Sequence, residues 1–326
     1  MNKKNESLTP SSDSPASSDE PRVTSNNSLF SLILKGFCMG AADVIPGVSG
    51  GTMAYILGIY EDFIDAIKSF DRLWLLSIVK LDLSTVISRP KFRFIIPLAT
   101  GIIIALGLFT RVIPLPELLK AYPEQVYGLF FGLITGSSFI LLGNIKNLRL
   151  NDLVFVIMGV VPSLIVFNLG PISIPDTSIY VFLSGCIAIS AMLLPGISGS
   201  FILLILNKYT YIFNAIGYFN LSVLLPFAAG MLTGIVIFSR ILSWVLHRFY
   251  RNTTLIITGI LIASLWLIWP FQDRVYETIG TSIKLVSSTP MLPGEINSAL
   301  ILTILLVVIG ISIVIIINTM SRKKSL

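Results

Sequence analysis

Charge is scarce in this sequence. Of 326 residues, 23 are Lys or Arg and 17 are Asp or Glu, or 12%, where a soluble domain carries about 25%. With 54% hydrophobic residues, too few polar side chains remain to cover a water-facing surface. This excludes a cytosolic globular enzyme and points to a polytopic membrane protein. Histidine and cysteine are nearly absent: His247 stands alone, with Cys38 and Cys186. That set cannot build a closed zinc site, a zincin motif or a haem attachment pair, so no metal and no cofactor are expected. Both cysteines lie in apolar stretches and read as small packing residues. His247, beside Arg248 at the end of an apolar run, reads as interfacial. The net charge of +6 lacks the dense basic patch that nucleic acid requires. Its meaning lies in where the basic residues fall, since Lys and Arg mark cytoplasmic loops.

Residues 1–28 are Ser- and Pro-rich with almost no large apolar side chain. They cannot bury enough surface to fold and are expected to form a disordered cytoplasmic tail with no signal peptide ahead of it. Apolar runs then follow at 29–45, 52–67, 94–113, 126–143, 153–169, 179–194, 201–216, 223–246, 254–270 and 299–319. Several are long enough to cross about 30 Å of hydrocarbon. Two neighbouring pairs are split by related breaks, Pro46-Gly47-Val48-Ser49-Gly50-Gly51 and Pro195-Gly196-Ile197-Ser198-Gly199-Ser200. Proline removes a backbone donor and glycine tolerates turn geometry, so each break should interrupt a helix. Interrupted backbone at membrane depth survives only when buried in protein or facing a cavity.

The basic residues decide whether each broken pair crosses or returns. The first pair is flanked by Lys3, Lys4 and Arg22 on one side and by Lys68, Arg72, Lys80, Arg89, Lys91 and Arg93 on the other. The flanks of the second pair, 170–178 and 216–222, contain no Lys or Arg. Each pair is therefore expected to be a re-entrant hairpin, the two entering from opposite faces. Threading the other six spans puts loops 144–152 and 247–253 and the tail 321–326 inside, with both termini cytoplasmic. Outside loops 114–125 and 271–298 hold only Lys120, Arg274 and Lys284. The stretch 69–86 mixes Trp74, Leu75, Leu76, Ile78 and Val79 with Asp71, Arg72, Lys80 and Asp82, and predicts a helix lying on the cytoplasmic interface.

The two hairpins are copies. At an offset of 149, Gly36 pairs with Gly185, Pro46 with Pro195, Gly47 with Gly196, Ser49 with Ser198, Gly50 with Gly199 and Tyr60 with Tyr209. The following span repeats as well: Ile95-Ile96-Pro97-Leu98-Ala99-Thr100-Gly101 matches Leu224-Leu225-Pro226-Phe227-Ala228-Ala229-Gly230, which pairs Arg111 with Arg240. Gly132 with Gly259 and Ser137 with Ser264 extend the match. Each half is thus a hairpin followed by three crossings, 29–169 and 170–320. Three is odd, so the second half should be inverted. The expected fold is an all-α polytopic membrane protein built as an inverted repeat, the architecture of secondary transporters and some channels. The simpler alternative is that the breaks only relieve packing.

Each break is followed by a helix start, at Ser49-Gly50-Gly51-Thr52 and at Ser198-Gly199-Ser200. A helix start exposes unpaired N–H groups and a partial positive charge suited to an anion. Arg111 and Arg240 sit at matching places in apolar spans, where an arginine is expensive and where guanidinium would bind phosphate in bidentate fashion. Snorkelling to the interface is the other reading for both. The acids differ between halves. Asp43 stands where the second half has Met192, and Glu61 where it has Thr210. Asp43 is open to three roles: proton carrier, partner of Arg111, or cap on the broken backbone. Glu61 is the second candidate for proton coupling.

Lys35-Gly-Phe-Cys-Met-Gly-Ala-Ala-Asp-Val-Ile-Pro-Gly-Val-Ser-Gly-Gly-Thr52, Leu57-Gly-Ile-Tyr-Glu-Asp62 and Leu194-Pro-Gly-Ile-Ser-Gly-Ser200 together resemble the undecaprenyl-phosphate (polyprenyl phosphate) translocase family of PopT type, long catalogued as a domain of unknown function. The resemblance covers about 30–320. It implies a non-enzymatic flippase of the cytoplasmic (inner) membrane. Such a flippase returns the polyprenyl phosphate carrier lipid from the outer to the inner leaflet for envelope glycan synthesis. Its partners would be that lipid, membrane lipids and, on the residues alone, protons. The runner-up from the residues is a small-anion secondary transporter or channel. A membrane-embedded lipid phosphatase or transferase is the weakest reading, because one histidine and no paired acidic metal motif leave little catalytic equipment.

Overall fold

The structure is a computed structural model that describes residues 28–44, 48–112, 118, 121–145, 148–279, 282–294 and 296–323. The expected disordered tail lies outside the described residues except for Ser28, and so does the Pro46-Gly47 break.

The first broken pair begins with α1 (Leu29–Asp43), opened by the hydroxyl of Ser28, which accepts from the Ser31 N–H. After the break come α2 (Gly50–Ile56) and α3 (Tyr60–Lys68). Two short surface helices follow, α4 (Arg72–Val79) and α5 (Leu83–Ser88), then α6 (Phe92–Gly107) with a π-helical end at Leu108–Val112. Helices α7 (Pro123–Asn144) and α8 (Leu150–Phe167) complete the first half. The second half has α9 (Ser178–Leu193), α10 (Gly199–Ile205), α11 (Tyr209–Gly217), α12 (Leu221–Arg248), α13 (Tyr250–Leu267) and α14 (Ser298–Lys323). Helices α7, α8, α12 and α14 are long and apolar enough to cross a membrane, and α6 and α9 are shorter apolar helices. Ile103, Phe139, Leu150 and Leu232 each expose more than half of their surface. Such apolar exposure on an outer face suits lipid rather than water.

Helices pair in a recurring way, α1 with α6 and α9 with α12, then α7 with α14 and α13 with α8. The closest approaches recur at matching positions. Gly36 abuts the Leu98 carbonyl and Gly101 that of Ile33, while Gly185 abuts the Phe227 carbonyl and Gly230 that of Phe182. In the other two pairs Gly132 meets Val307 and Gly310 meets Leu129, while Gly259 meets Val156 and Gly159 meets Ile256. A methyl group at any of these would overlap the facing backbone. Small residues let apolar helices touch along their backbones, which is how helices associate without a hydrophobic driving force.

Three expectations change in detail. The second apolar run of each broken pair, 52–67 and 201–216, is two short helices. Gly58 (φ +67°) and Asn207 (φ +52°) take left-handed backbone. The next N–H reaches back five residues, Ile59 to Ala54 O at 3.0 Å and Lys208 to Leu203 O at 2.8 Å, which closes a helix end. The interfacial stretch 69–86 is also two helices rather than one, because Asp71 and Asp82 each cap a start, accepting from Trp74 N–H and Thr85 N–H. The outside loop contains an antiparallel pair, β1 (Gln272–Ile279) and β2 (Ser282–Pro290). Val275, Tyr276, Thr278, Ile279 and Ile283 give it strand propensity, so the chain is not wholly α.

Candidate functional site

The helices after the first break meet the second break. The Gly196 N–H donates to the hydroxyl of Thr52 at 2.8 Å, and the Tyr60 hydroxyl donates to Leu193 O at 2.6 Å. Both bonds are buried, with Thr52 and Tyr60 at 1% and 2% exposure. Gly51 lies against the carbonyl of Met192. The start of α2 in the first half is thus docked on the broken backbone of the second. Gly196 has φ +91°, and a side chain there would press on Ile260 of α13, so the second break is fixed by a residue that needs no Cβ. Sequence comparison found both breaks. It did not find that Tyr60 and Thr52 join them, though both belong to the hairpin motif.

The start of α2 is capped from within the chain. Asp43 Oδ1 accepts from the Gly50 N–H at 2.6 Å, and Ser49 Oγ accepts from the Gly51 N–H at 3.2 Å. Of the roles open to Asp43, the geometry shows the cap. Asp43 itself is exposed while Ser49, Gly50, Gly51 and Thr52 are buried. The second start differs. Ser198 makes no side-chain cap, and its hydroxyl instead pairs with that of Ser200 at 2.8 Å. Ser198 is buried and Ser200 exposed, with Gly199 between them in exposure.

Arg111 and Arg240 match in sequence but not in setting. Arg111 falls in the π-helical end after α6, and its side chain lies outside the described residues. Arg240 is an exposed residue within the 28-residue α12. Its charge reaches Asp71 at the start of α4, although Arg89 is the main cause of that carboxyl's depression to about 2. Glu61 opens α3 and hydrogen-bonds Tyr250 at the start of α13, whose phenol also bonds Thr254.

Three polar clusters carried no sequence signal, because their members are far apart in the chain. Asp152, nearly buried, takes both donor nitrogens of Arg251, at 2.5 and 3.2 Å, and the Arg149 N–H. Lys208, fully buried, bonds Asp176 and the Ile174 carbonyl and so pins loop 170–178 to the turn between α10 and α11. At the other end Asp65, Lys68, Ser69, Lys91, Ser243, Trp244 and His247 line an open cleft of about 340 Å³. These contacts tie loops 68–93 and 247–253 together at one end, and 144–152 with them. Among the described residues no group of three His, Cys, Asp or Glu could hold a metal ion.

A helical chain with several apolar spans, whose second Pro-Gly break is bonded to the helix that follows the first, is a multi-pass membrane protein. The undecaprenyl phosphate translocase-like family model matches residues 39–286, and the chain belongs to that family. It is 39% identical over 254 residues to a polyprenyl-phosphate transporter of Vibrio cholerae, covering 78% of this chain and 82% of the relative. It is 34% identical over 258 residues to a polyprenyl-phosphate transporter of Staphylococcus aureus, covering 73% and 85%. No solved structure matches it.

Proposed function

We propose that the protein carries a polyprenyl phosphate across the cytoplasmic membrane, from the outer to the inner leaflet, so that the carrier is reused in envelope glycan synthesis. The observation that carries this reading is family membership over residues that include both breaks, with relatives named as polyprenyl-phosphate transporters. The activity is transport without bond cleavage. We read the halves 29–169 and 170–320 as an inverted repeat, each a re-entrant hairpin plus three crossings, between cytoplasmic segments 1–28 and 321–326. The offset-matched glycine contacts and the basic flanks support it.

In this reading the phosphate is covered by Arg111, Arg240 and the helix starts at Ser49, Gly50, Gly51 and Thr52 and at Ser198, Gly199 and Ser200. A bare phosphate in hydrocarbon loses its hydration, so donors must replace water while the prenyl chain stays in lipid. The Asp43 cap gives coupling a physical form. The carboxylate occupies the Gly50 N–H that a phosphate would use. A proton taken up by Asp43 weakens that bond and frees the donor. Glu61, hydrogen-bonded to Tyr250, is the second coupling residue.

Reconstituted vesicles test this. Leaflet exchange of polyprenyl phosphate is expected, and anion flux without lipid exchange would support the small-anion reading instead. Arg111→Ala and Arg240→Ala should each weaken lipid-phosphate binding while the protein still inserts. Unchanged binding in both favours snorkelling. Cysteines placed in 170–178 and 216–222 should label from the same face, and labelling from opposite faces would refute the re-entrant hairpin.

A further inference from the structure

The cleft between α3, the start of α6 and α12 has a built floor. Ser243 is fully buried, donates to Asp65 Oδ1 at 2.9 Å and accepts from Lys68 Nζ at 3.1 Å. His247 Nδ1 lies 2.7 Å from the Ser243 carbonyl. A carbonyl only accepts, so Nδ1 carries the proton and Nε2 turns toward Asp65 Oδ2, 3.7 Å away. Lys91 Nζ stands 3.8 Å from the same oxygen and is half exposed. Both separations are beyond hydrogen-bond length. The imidazole and the Lys91 ammonium flank the carboxylate without closing on it, and Lys68 and Lys91 line the cleft as its cations.

Helix α12 lends the cleft Ser243, Trp244 and His247. Arg240, Ser243 and His247 are spaced three and four apart and share one helix face. Trp244, 61% exposed, forms an apolar wall beside them. The matching positions at the opposite end of the repeat are Asn214 for Asp65, Gly217 for Lys68 and Asn220 for Lys91. These three charges therefore have no counterpart at the matching positions.

We propose that this cleft docks a phosphomonoester, the end group of a lipid, on Lys68 and Lys91, with the lipid chain leaving past Trp244. Asp65 acts as the built-in competitor that keeps the cations spaced and lets the phosphate leave. Arg240, one turn deeper on the same face, connects this mouth to the translocation path. The inference rests on the lipid-transport reading for its ligand. The shared chemistry is a doubly charged phosphate oxygen set, which a lipid or free phosphate both present.

The test uses the full chain in detergent with farnesyl phosphate, farnesol and inorganic phosphate as probes. Farnesyl phosphate should bind and farnesol should fail to displace it. Lys68→Gln combined with Lys91→Gln should weaken binding at least tenfold. Asp65→Asn should tighten it several-fold, a gain that misfolding cannot produce. Unchanged binding in the double variant, or a loss in Asp65→Asn equal to that of the double variant, overturns the proposal. Inorganic phosphate binding as tightly as farnesyl phosphate overturns the lipid assignment. Leaflet exchange of a long-chain polyprenyl phosphate by the unaltered protein is measured separately. Its absence would refute the transport reading, and the variant series would still decide the cleft.

Discussion

The hydroxyl of Tyr60, on the first hairpin, donates a 2.6 Å hydrogen bond to the carbonyl of Leu193, the last residue of the helix that leads into the second break. The last carbonyls of a helix have no partner within it, so this one is satisfied from the other half. With the Gly196 to Thr52 bond, it makes the centre a joint between two interrupted helices rather than a gap between them.

Tyr60→Phe leaves the Leu193 carbonyl buried and unpaired. The expected loss is about 1–3 kcal/mol of stability, read as a lower unfolding midpoint in detergent.

Gly36→Ala and Gly230→Ala should disrupt the α1–α6 and α9–α12 pairs, since each new methyl overlaps backbone that cannot move aside. Gly107→Ala meets nothing within 4 Å. It sits in helix, where alanine is favoured by roughly 1 kcal/mol, and should be neutral or stabilising. Thermal unfolding of the three variants side by side checks the contrast.

Asp43→Asn keeps an oxygen to accept the Gly50 N–H but removes the charge, and Asp43→Ala removes both. The alanine variant should lose about 0.5–2 kcal/mol, the cost of a missing cap, and the asparagine variant little. If Asp43 couples transport to protons, the asparagine variant folds but no longer responds to a pH gradient across vesicles. A retained response would move the coupling to Glu61.

The Asp71 carboxyl is held at about 2, chiefly by hydrogen bonding from Arg89 at 2.5 and 2.8 Å, against about 3.9 unfolded. A depressed folded value means that the pair stabilises fully above about pH 4 and loses its contribution as pH falls through about 2. Trp74, bonded to Val86 O across α4 and α5, reports on this segment. Its fluorescence should stay constant down to about pH 3, and Arg89→Ala should move the change upward toward the ordinary carboxylate range.

Much of this was legible because the signals were local. Apolar runs separated by Pro-Gly breaks mark interrupted helices wherever they occur, and the shared Pro-Gly-x-Ser-Gly announced two copies. The split of the second apolar run of each pair, at Gly58 and Asn207, was missed although both residue types favour left-handed backbone, because the surrounding apolar run hid them. The β pair was missed in a loop read only for its charge.

By itself the sequence determined that the chain is a membrane protein, where its apolar runs are interrupted, that stretches of it match at fixed offsets and that basic residues gather on particular segments. These follow from composition, chain stiffness and solvation, which act over a few residues at a time. Only the tertiary structure decided that Thr52 and Tyr60 are bonded to the second break and that Asp43 already fills the first helix start. It also set Arg240 apart from Arg111 and gathered Asp65, Lys68 and Lys91 around Ser243 and His247. Those are contacts such as Ser243 to Asp65, across 178 residues of chain. They are fixed by how the glycine-lined helix faces pack, and no local pattern records that packing.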